Sequence, residues 1–430
     1  MMNLVPDLYK ILEERELSDL NHKGKTIFPA YDGNSIMNIV SGVCHWMNIA
    51  EFSPILLNQQ FLEAFQKPFQ NVFLLVMDGV GLNIFDHILK LENQGVYQPV
   101  WNRILQDALL APLTSVSPST TASALTSLWT GRPPVQHGIM GYEMWLKTYG
   151  LIANMIKHST ASYWGDNQGL EKAGFKAEEF LTLPTFGTHL VSQGVKPYSF
   201  LPADICKSGL SRMLMRDFDI LPYISPTDLW VSLSELFSPH PSEKTFTSIY
   251  WPMIDTLGHI FGPKDVRLGM EFNSFSQLME KFIVKFMQED QGRTLFLVTA
   301  DHGMIHTPPE ENFNLKKRPG VFDRLLMPPF GDHRLAYVFN KGCTEEEFSR
   351  EVEATWPDCF SVRSSQELVR SGLFGSGQYH HDLFNRIGDQ VIISRDSAYL
   401  NWSEKEINLL GRHGGLSVDE MLVPFIALEI

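Results

Sequence analysis

Acidic and imidazole side chains follow short apolar runs at three places in this sequence. The runs and the polar residues after them are Val72–Met77 before Asp78, Phe246–Trp251 before Asp255 and His259, and Thr294–Ala300 before Asp301 and His302. Runs of this kind predict buried strands, and ligands in open α/β sheets gather at the carboxyl ends of such strands. Each polar residue alone could be an ordinary turn or a solvated face. Together, the three strand ends could assemble a two-metal site.

A second candidate, Thr121, lies in a run of small and apolar residues over positions 115–131. Pro118 precedes a helical pattern, and Ser119 or Thr120 would be its N-cap. Thr121 then falls in the first turn, where backbone N–H groups and the helix dipole favour a phosphate or an alkoxide. A hydroxyl beside a metal at that place is a candidate nucleophile, whereas alone it could simply cap the helix.

Alternating strands and helices from Val72 onward predict an α/β fold with a mostly parallel central sheet and helices on both faces. The other predicted helices are 120–129, 188–193, 228–236 and 268–287, and the other predicted strands are 198–201, 334–339, 390–394 and 421–428.

Three regions are predicted along the chain. Residues 1–70 form an N-terminal extension packed on the core, and residues 71–306 with 410–430 form the core that carries the candidate metal ligands. Residues 307–409 form a small inserted α+β subdomain, because a proline-rich loop and an acidic helix that begins at Thr344 interrupt the earlier pattern.

The bulk composition limits the partners. The formal net charge is −14 with no basic stripe, which argues against a nucleic-acid polymer. Bound divalent cations could still supply the local positive charge that a small phosphate-containing substrate needs. No apolar run approaches the roughly 18 residues of a membrane span, and the N-terminus lacks the apolar core of a secretory signal. We therefore expect a cytoplasmic protein.

As a set, these motifs resemble the alkaline phosphatase superfamily, and most closely its nucleotide pyrophosphatase/phosphodiesterase branch. The residues that carry the resemblance are Met77–Gly79, Ser119–Gly131, His137–Ile139, Asp255–His259 with Gly262 and Pro263, Thr299–Gly303, and His413–Gly415. The resemblance covers about residues 72–306 and 410–430, and it implies an alkaline-phosphatase-like fold.

The resemblance also implies two divalent metal ions, zinc first and manganese as the alternative. The implied ligands are Asp255, His259 and His413 for one ion, and Asp78, Asp301, His302 and the Thr121 hydroxyl for the other. Thr121 would attack phosphorus in line and form a phosphothreonine, which water then hydrolyses. The implied reaction is cleavage of a phosphodiester or pyrophosphate bond.

One position departs from the pattern of that branch. An Asn in the segment after the nucleophile usually helps to hold a phosphoryl oxygen there, and Tyr142 occupies the corresponding place in this sequence. A phenol can donate a hydrogen bond, so Tyr142 could bind substrate in place of the Asn, or it could only line the pocket wall. His137 is expected to orient the loop behind the nucleophile.

Other functions remain open on the sequence alone. A phosphomonoesterase or a phosphonate hydrolase could use the same site, and a transferase could pass the group from the threonine to an alcohol. A non-catalytic interaction module that keeps the fold is disfavoured, because all the expected ligands and the nucleophile are present.

Overall fold

The computed structural model describes residues 2–17, 20, 25–162, 168–238, 243–290, 292–403 and 408–430. The strands are β1 (Met2–Asn3), β2 (Asn71–Met77), β3 (Leu109–Thr114), β4 (Glu143–Leu146), β5 (Leu151–Asn154), β6 (Ser159–Thr160), β7 (Lys196–Pro202), β8 (Asp219–Tyr223), β9 (Thr245–Trp251), β10 (Thr294–Thr299), β11 (Ile305–His306), β12 (Phe330–Asp332), β13 (Leu335–Val338), β14 (Phe360–Ser364), β15 (Gln390–Ser394), β16 (Gly411–Arg412) and β17 (Leu422–Glu429).

The α-helices are α1 (Val5–Glu13), α2 (Ile39–Met47), α3 (Gln59–Leu62), α4 (Leu82–Asn93), α5 (Val100–Ile104), α6 (Thr121–Thr130), α7 (Pro134–His137), α8 (Gly169–Lys172), α9 (Ala177–Phe180), α10 (Phe186–Ser192), α11 (Gly209–Leu214), α12 (Pro226–Leu236), α13 (Met253–Phe261), α14 (Val266–Asp290), α15 (Pro319–Phe322), α16 (Glu345–Thr355), α17 (Ser365–Ser371), α18 (Leu383–Ile387) and α19 (Val418–Met421). Within the described ranges, none of these helices is both long enough and apolar enough to cross a bilayer.

The central sheet has eight strands among the described residues, in the order β1-β3-β17-β10-β2-β9-β7-β8. β17 runs antiparallel to its neighbours β3 and β10, and every other neighbouring pair is parallel. Helices flank this sheet. The predicted α/β fold with a mostly parallel central sheet is therefore confirmed.

The register of β10, β2 and β9 explains why polar residues meet at one edge. Met77 at the end of β2 pairs with Trp251 at the end of β9, and Val76 pairs with Thr299 at the end of β10. All residues of β2 and β10 are buried, as expected for parallel strands covered on both faces. The polar residues that follow each strand consequently leave the sheet at the same edge.

Helix α6 follows β3 and carries the candidate nucleophile. It begins at Thr121 with Thr120 as its N-cap, and it ends before Gly131, whose φ of 59° lies in the left-handed region that glycine tolerates. Every residue of this helix is buried. The hydroxyl of Ser115, just after β3, donates to the backbone oxygen of Asp301 at 2.5 Å, which joins this connection to the end of β10.

The region predicted as an insertion contains a separate antiparallel sheet in the order β12-β13-β15-β14. It has its own apolar cluster, which includes Phe348, Trp356 and Phe360. Arg334, between β12 and β13, forms a fully buried ion pair with Glu420 of α19, with 2.7 Å between Nε and Oε1. At the other end of the chain, β1 pairs with β3 of the central sheet. The boundaries of the three predicted regions stay a prediction.

Candidate metal centre

Three carboxylates converge at the carboxyl edge of the central sheet. Asp78 follows β2 and Asp301 follows β10, and both are buried, while Asp255 on α13 is partly buried. Asp301 Oδ1 accepts hydrogen bonds from the backbone N–H groups of Gly79 at 3.3 Å and His302 at 3.0 Å. The oxygens Asp78 Oδ1, Asp255 Oδ1 and Asp301 Oδ2 are buried and have no hydrogen-bond donor among the described residues. Buried oxygens of this kind need a partner, which a cation or a bound proton can supply.

Three histidines present Nε2 toward these carboxylates. Each Nδ1 lies beside a backbone oxygen: His259 beside Gly411 at 2.8 Å, His302 beside Gly303 at 3.0 Å, and His413 beside Ser119 at 3.1 Å. A carbonyl oxygen can only accept, so Nδ1 carries the proton and donates it to the carbonyl. Nε2 keeps its lone pair, which is the arrangement of a metal-binding imidazole.

The ligand atoms form two overlapping groups. The first group consists of Asp78, Asp301 and His302, and the second consists of Asp255, His302 and His413. Within each group the ligand atoms lie within 4.8 Å of one another. His259 Nε2 lies 3.3 Å from Asp255 Oδ1, and His413 Nε2 lies 3.7 Å from the same oxygen. The structure thus brings the six predicted Asp and His ligands together. It places His302 close to both groups, whereas the sequence analysis assigned this residue only to the ion of Asp78 and Asp301.

The charges of the site fit a pair of divalent cations. Burial raises the pKa of Asp78 well above its ordinary value, and the carboxylates of Asp301 and Asp255 raise it further. Burial also raises the pKa of Asp301, and it lowers the pKa of His413 well below its ordinary range, which keeps that imidazole neutral. Clustered buried carboxylates repel one another, and cations held between them would remove that cost.

Thr121 adjoins this cluster at the start of α6. Its Oγ1 lies 3.2 Å from Nε2 of His302. The first hydrogen bond inside the helix runs from the N–H of Ala124 to the oxygen of Thr120 at 2.9 Å. The N–H groups of residues 121–123 therefore have no acceptor within the helix and can bind an anion.

The family of the chain follows from its match to a known model. Residues 72–416 match the model described as type I phosphodiesterase / nucleotide pyrophosphatase. The chain belongs to this family. The matched span includes every ligand and the threonine described above, so the family assignment and the geometry concern the same part of the molecule.

Solved structures agree with this assignment at the level of the fold. Murine ectonucleotide pyrophosphatase / phosphodiesterase 5 is 17% identical, with a TM-score of 0.62, over 84% of this chain and 88% of that chain. Phosphonoacetate hydrolase from Sinorhizobium meliloti, in complex with phosphonoformate, is 18% identical, with a TM-score of 0.59, over 84% of this chain and 90% of that chain. No curated protein sequence matches the chain.

Tyr142, predicted either to replace an Asn or to line the pocket wall, lies near the candidate ligands. Its backbone N–H donates to Asp332 Oδ2 at 3.3 Å. Burial raises the pKa of its hydroxyl to about 12, and the carboxylates of Glu143 and Asp255 contribute in the same direction. A hydrogen bond with Asn154 lowers this pKa, but by less. Tyr142 therefore stays protonated and can donate a hydrogen bond close to the metal ligands.

His137 supports α6 from behind. The backbone N–H of Ile139 donates to His137 Nδ1 at 3.0 Å, so Nε2 carries the proton and donates to the hydroxyl of Ser127 at 2.8 Å. Burial lowers the pKa of His137 well below its usual value. This neutral histidine joins the loop after the helix to α6, which is the orienting contact that the sequence predicted.

Two residues of the site were missed in the sequence. Tyr250 of β9 donates its hydroxyl hydrogen to Asp78 Oδ2. Asp332 of β12 accepts hydrogen bonds from Thr120 and Tyr142, and burial raises its pKa to about 7. Tyr250 belongs to a predicted strand and lies one residue before its end. That position, close to the predicted ligands, could have marked it as a candidate site residue. Nothing in the sequence indicates that Asp332 reaches the nucleophile loop.

Proposed function

We propose that this protein cleaves phosphodiester or pyrophosphate bonds through a covalent intermediate on Thr121. Its family already makes it a phosphoester hydrolase. The observation that carries the finer proposal is the position of Thr121 Oγ1, 3.2 Å from His302 Nε2 and at the start of a helix. A hydroxyl placed between an anion-binding helix terminus and a cluster of metal ligands can serve as a nucleophile.

Two divalent cations are the proposed cofactors, with zinc expected and manganese as the alternative. The residues that would hold them are Asp255, His259 and His413 for one, and Asp78, Asp301, His302 and Thr121 for the other. Bound there, such cations lower the pKa of a hydroxyl and offset the charge of the phosphate. The three buried carboxylate oxygens without donors support this assignment.

The side chains divide the reaction between them. Thr121 Oγ1 attacks phosphorus and forms the threonine ester, while the bond to the leaving oxygen breaks on the opposite side and the hydroxyl proton passes to the leaving oxygen or to solvent. Water then attacks the same phosphorus and releases Thr121 with its hydroxyl restored. The N–H groups at the start of α6 stabilise the phosphoryl oxygens, and the Tyr142 hydroxyl donates a further hydrogen bond to them.

A phosphonate hydrolase or a phosphomonoesterase is the second candidate. The phosphonate hydrolase is suggested by the similar fold of Sinorhizobium meliloti phosphonoacetate hydrolase, whose TM-score of 0.59 is close to the 0.62 found for the murine phosphodiesterase. The same threonine and metal ligands would serve either reaction. The cytoplasmic location remains a proposal from the sequence.

The proposal is tested by comparing wild-type protein, Thr121→Ala and Thr126→Ala on p-nitrophenyl esters after zinc loading. Thr126 lies on the same buried helix, and its hydroxyl donates only to the backbone oxygen of Ala122, so it is a matched control. We expect Thr121→Ala to lose turnover with its zinc content retained, and Thr126→Ala to stay near wild type. Turnover of Thr121→Ala at the wild-type rate would contradict the mechanism. A phosphodiester preferred over a monoester by about tenfold or more supports the first candidate, and the reverse supports a phosphomonoesterase.

A further inference from the structure

The side chain of Thr120 does not cap the helix that it precedes. A threonine at an N-cap usually accepts a hydrogen bond from a backbone N–H two or three residues on, as Thr344 does from Glu347 at 3.2 Å at the start of α16. Thr120 is the N-cap of α6, with extended φ and ψ of −137° and 147°, yet its hydroxyl makes no such bond within the described helix. The N–H groups of Ala122 and Ser123 therefore have no side-chain cap.

Asp332 of the inserted sheet binds this hydroxyl instead. Its carboxylate accepts a hydrogen bond from Thr120 and another, at 3.3 Å, from the backbone N–H of Tyr142. Asp332 is 6% exposed and Thr120 is 1% exposed, so the bond lies in a low-dielectric environment that strengthens it. The Thr120 hydroxyl is thus held by β12 instead of by the first turn of α6.

Two glycines allow Asp332 to approach this closely. A methyl group at Gly414 would lie 2.6 Å from Asp332 Cβ, and one at Gly141 would lie 3.1 Å from Asp332 Oδ2. Gly414 also forms a β-bridge with Ser119, the residue before the N-cap of α6. Asp332 is therefore packed directly against the segments that carry the candidate nucleophile and one of the candidate metal ligands.

We propose that Asp332 is a positioning residue that holds the Thr120 hydroxyl away from α6, so that the N–H groups of Ala122 and Ser123 stay free for the phosphoryl group. Without the carboxylate, the hydroxyl would turn to the first turn of its own helix, as an N-cap threonine ordinarily does. It would then occupy an N–H group that a phosphoryl oxygen needs. The inference rests on the proposed function and adds a part of the inserted sheet to the same site.

Calorimetric titration with inorganic phosphate tests this role in zinc-loaded protein without turnover. We expect Asp332→Leu to bind phosphate about fivefold more weakly than wild type, a factor that matches the free energy of a threonine cap. Adding Thr120→Val removes the competing hydroxyl, so the double variant should return to within about twofold of wild type. Unchanged affinity in Asp332→Leu, or equally weak binding by the double variant, would overturn the proposal.

Two further variants separate this role from a general loosening of the fold. Asp332→Asn keeps an acceptor for the Tyr142 N–H and a donor for the Thr120 hydroxyl, so its phosphate affinity should stay within about twofold of wild type. Asp389→Leu removes a carboxylate just before β15 of the same sheet, which accepts the backbone N–H of Asn340 at 2.9 Å, and it should leave the affinity unchanged. A loss of about fivefold in either variant would overturn the proposal.

A crystal structure of Asp332→Leu would show the movement of the hydroxyl directly. Thr120 Oγ1 should lie within about 3.2 Å of the backbone nitrogen of Ala122 or Ser123. A hydroxyl that makes no bond to either nitrogen would contradict the proposal. If the leucine variant does not fold, Asp332→Ala removes the same carboxylate and replaces it in both experiments.

The failure of this proposal and the failure of the proposed function give different results. Absence of hydrolysis with every ester, together with the expected phosphate affinities, would contradict only the proposed function. Hydrolysis that depends on Thr121, together with equal phosphate affinities in wild type and Asp332→Leu, would contradict only the role of Asp332.

Discussion

The replacement Glu420→Gln should strongly destabilise the protein. Both side chains of the Arg334–Glu420 pair are 0% exposed, and the contact is bidentate, at 2.7 and 2.8 Å. Removing the negative charge leaves the Arg334 guanidinium buried without its partner, which costs about 3–5 kcal/mol. Glu420 also accepts the backbone N–H of Gly415 at 2.9 Å, so the loop that carries His413 should loosen as well.

Denaturant unfolding of wild type, Glu420→Gln and Glu179→Gln measures this loss. Glu179 forms an exposed pair with Lys176, whose side chains are 69% and 65% exposed, so that control should change the free energy of unfolding by less than about 0.5 kcal/mol. The double variant Arg334→Met with Glu420→Gln should regain part of the loss, because it leaves no unpaired charge. A loss below about 1 kcal/mol in Glu420→Gln would refute the reasoning.

The pH dependence of this effect has a definite sign. Burial alone would raise the pKa of Glu420, but the Arg334 guanidinium and hydrogen bonds from Ser417 and Gly415 lower it below its ordinary value. A carboxyl group whose pKa is lower in the folded than in the unfolded state stabilises the folded protein at pH values above the unfolded pKa, which is about 4.3. That stabilisation is lost as the pH falls through the folded pKa. The difference between wild type and Glu420→Gln should therefore shrink below about pH 4.

Further predictions concern the site itself. Tyr250→Phe removes the hydrogen bond donated to Asp78 and should weaken zinc binding by about 10–100-fold, measured by competition with a chromophoric chelator; unchanged affinity would contradict its orienting role. Tyr142→Phe should lower kcat/KM for the preferred ester by about 100-fold if the hydroxyl binds the phosphoryl group, and an unaffected variant would make Tyr142 a pocket wall only. Treatment with a chelator should lower the thermal midpoint and added zinc should restore it, because the proposed cations would bind only the folded state. A thermal midpoint that neither treatment changes would contradict such binding.

Much of the fold, and the clustering of the candidate ligands, could be predicted because both follow local patterns. Strands such as β2 and β10 are continuous apolar runs, which the sequence marks as buried. The candidate ligands follow these runs directly in the sequence, so their place at the sheet edge could be predicted. The start of α6 was also predictable, since Pro118 and a capping residue precede a run of small residues.

The remaining features depend on contacts between distant segments. Asp332 reaches Tyr142 across 190 residues of sequence, and the pairing of Arg334 with Glu420 spans 86. No local periodicity encodes such contacts, because the packing of the inserted sheet against the core creates them. The closeness of His302 to both ligand groups likewise arises only when the strands are set in register.

The stereochemical course at phosphorus tests the central claim most directly. A p-nitrophenyl thiophosphate diester of one configuration is hydrolysed in ¹⁸O-water, and the configuration of the product is determined by ³¹P NMR after stereospecific conversion. Attack by Thr121 followed by attack of water inverts phosphorus twice, so the account predicts net retention. Net inversion would show that water attacks the substrate directly, and it would contradict the covalent intermediate on Thr121.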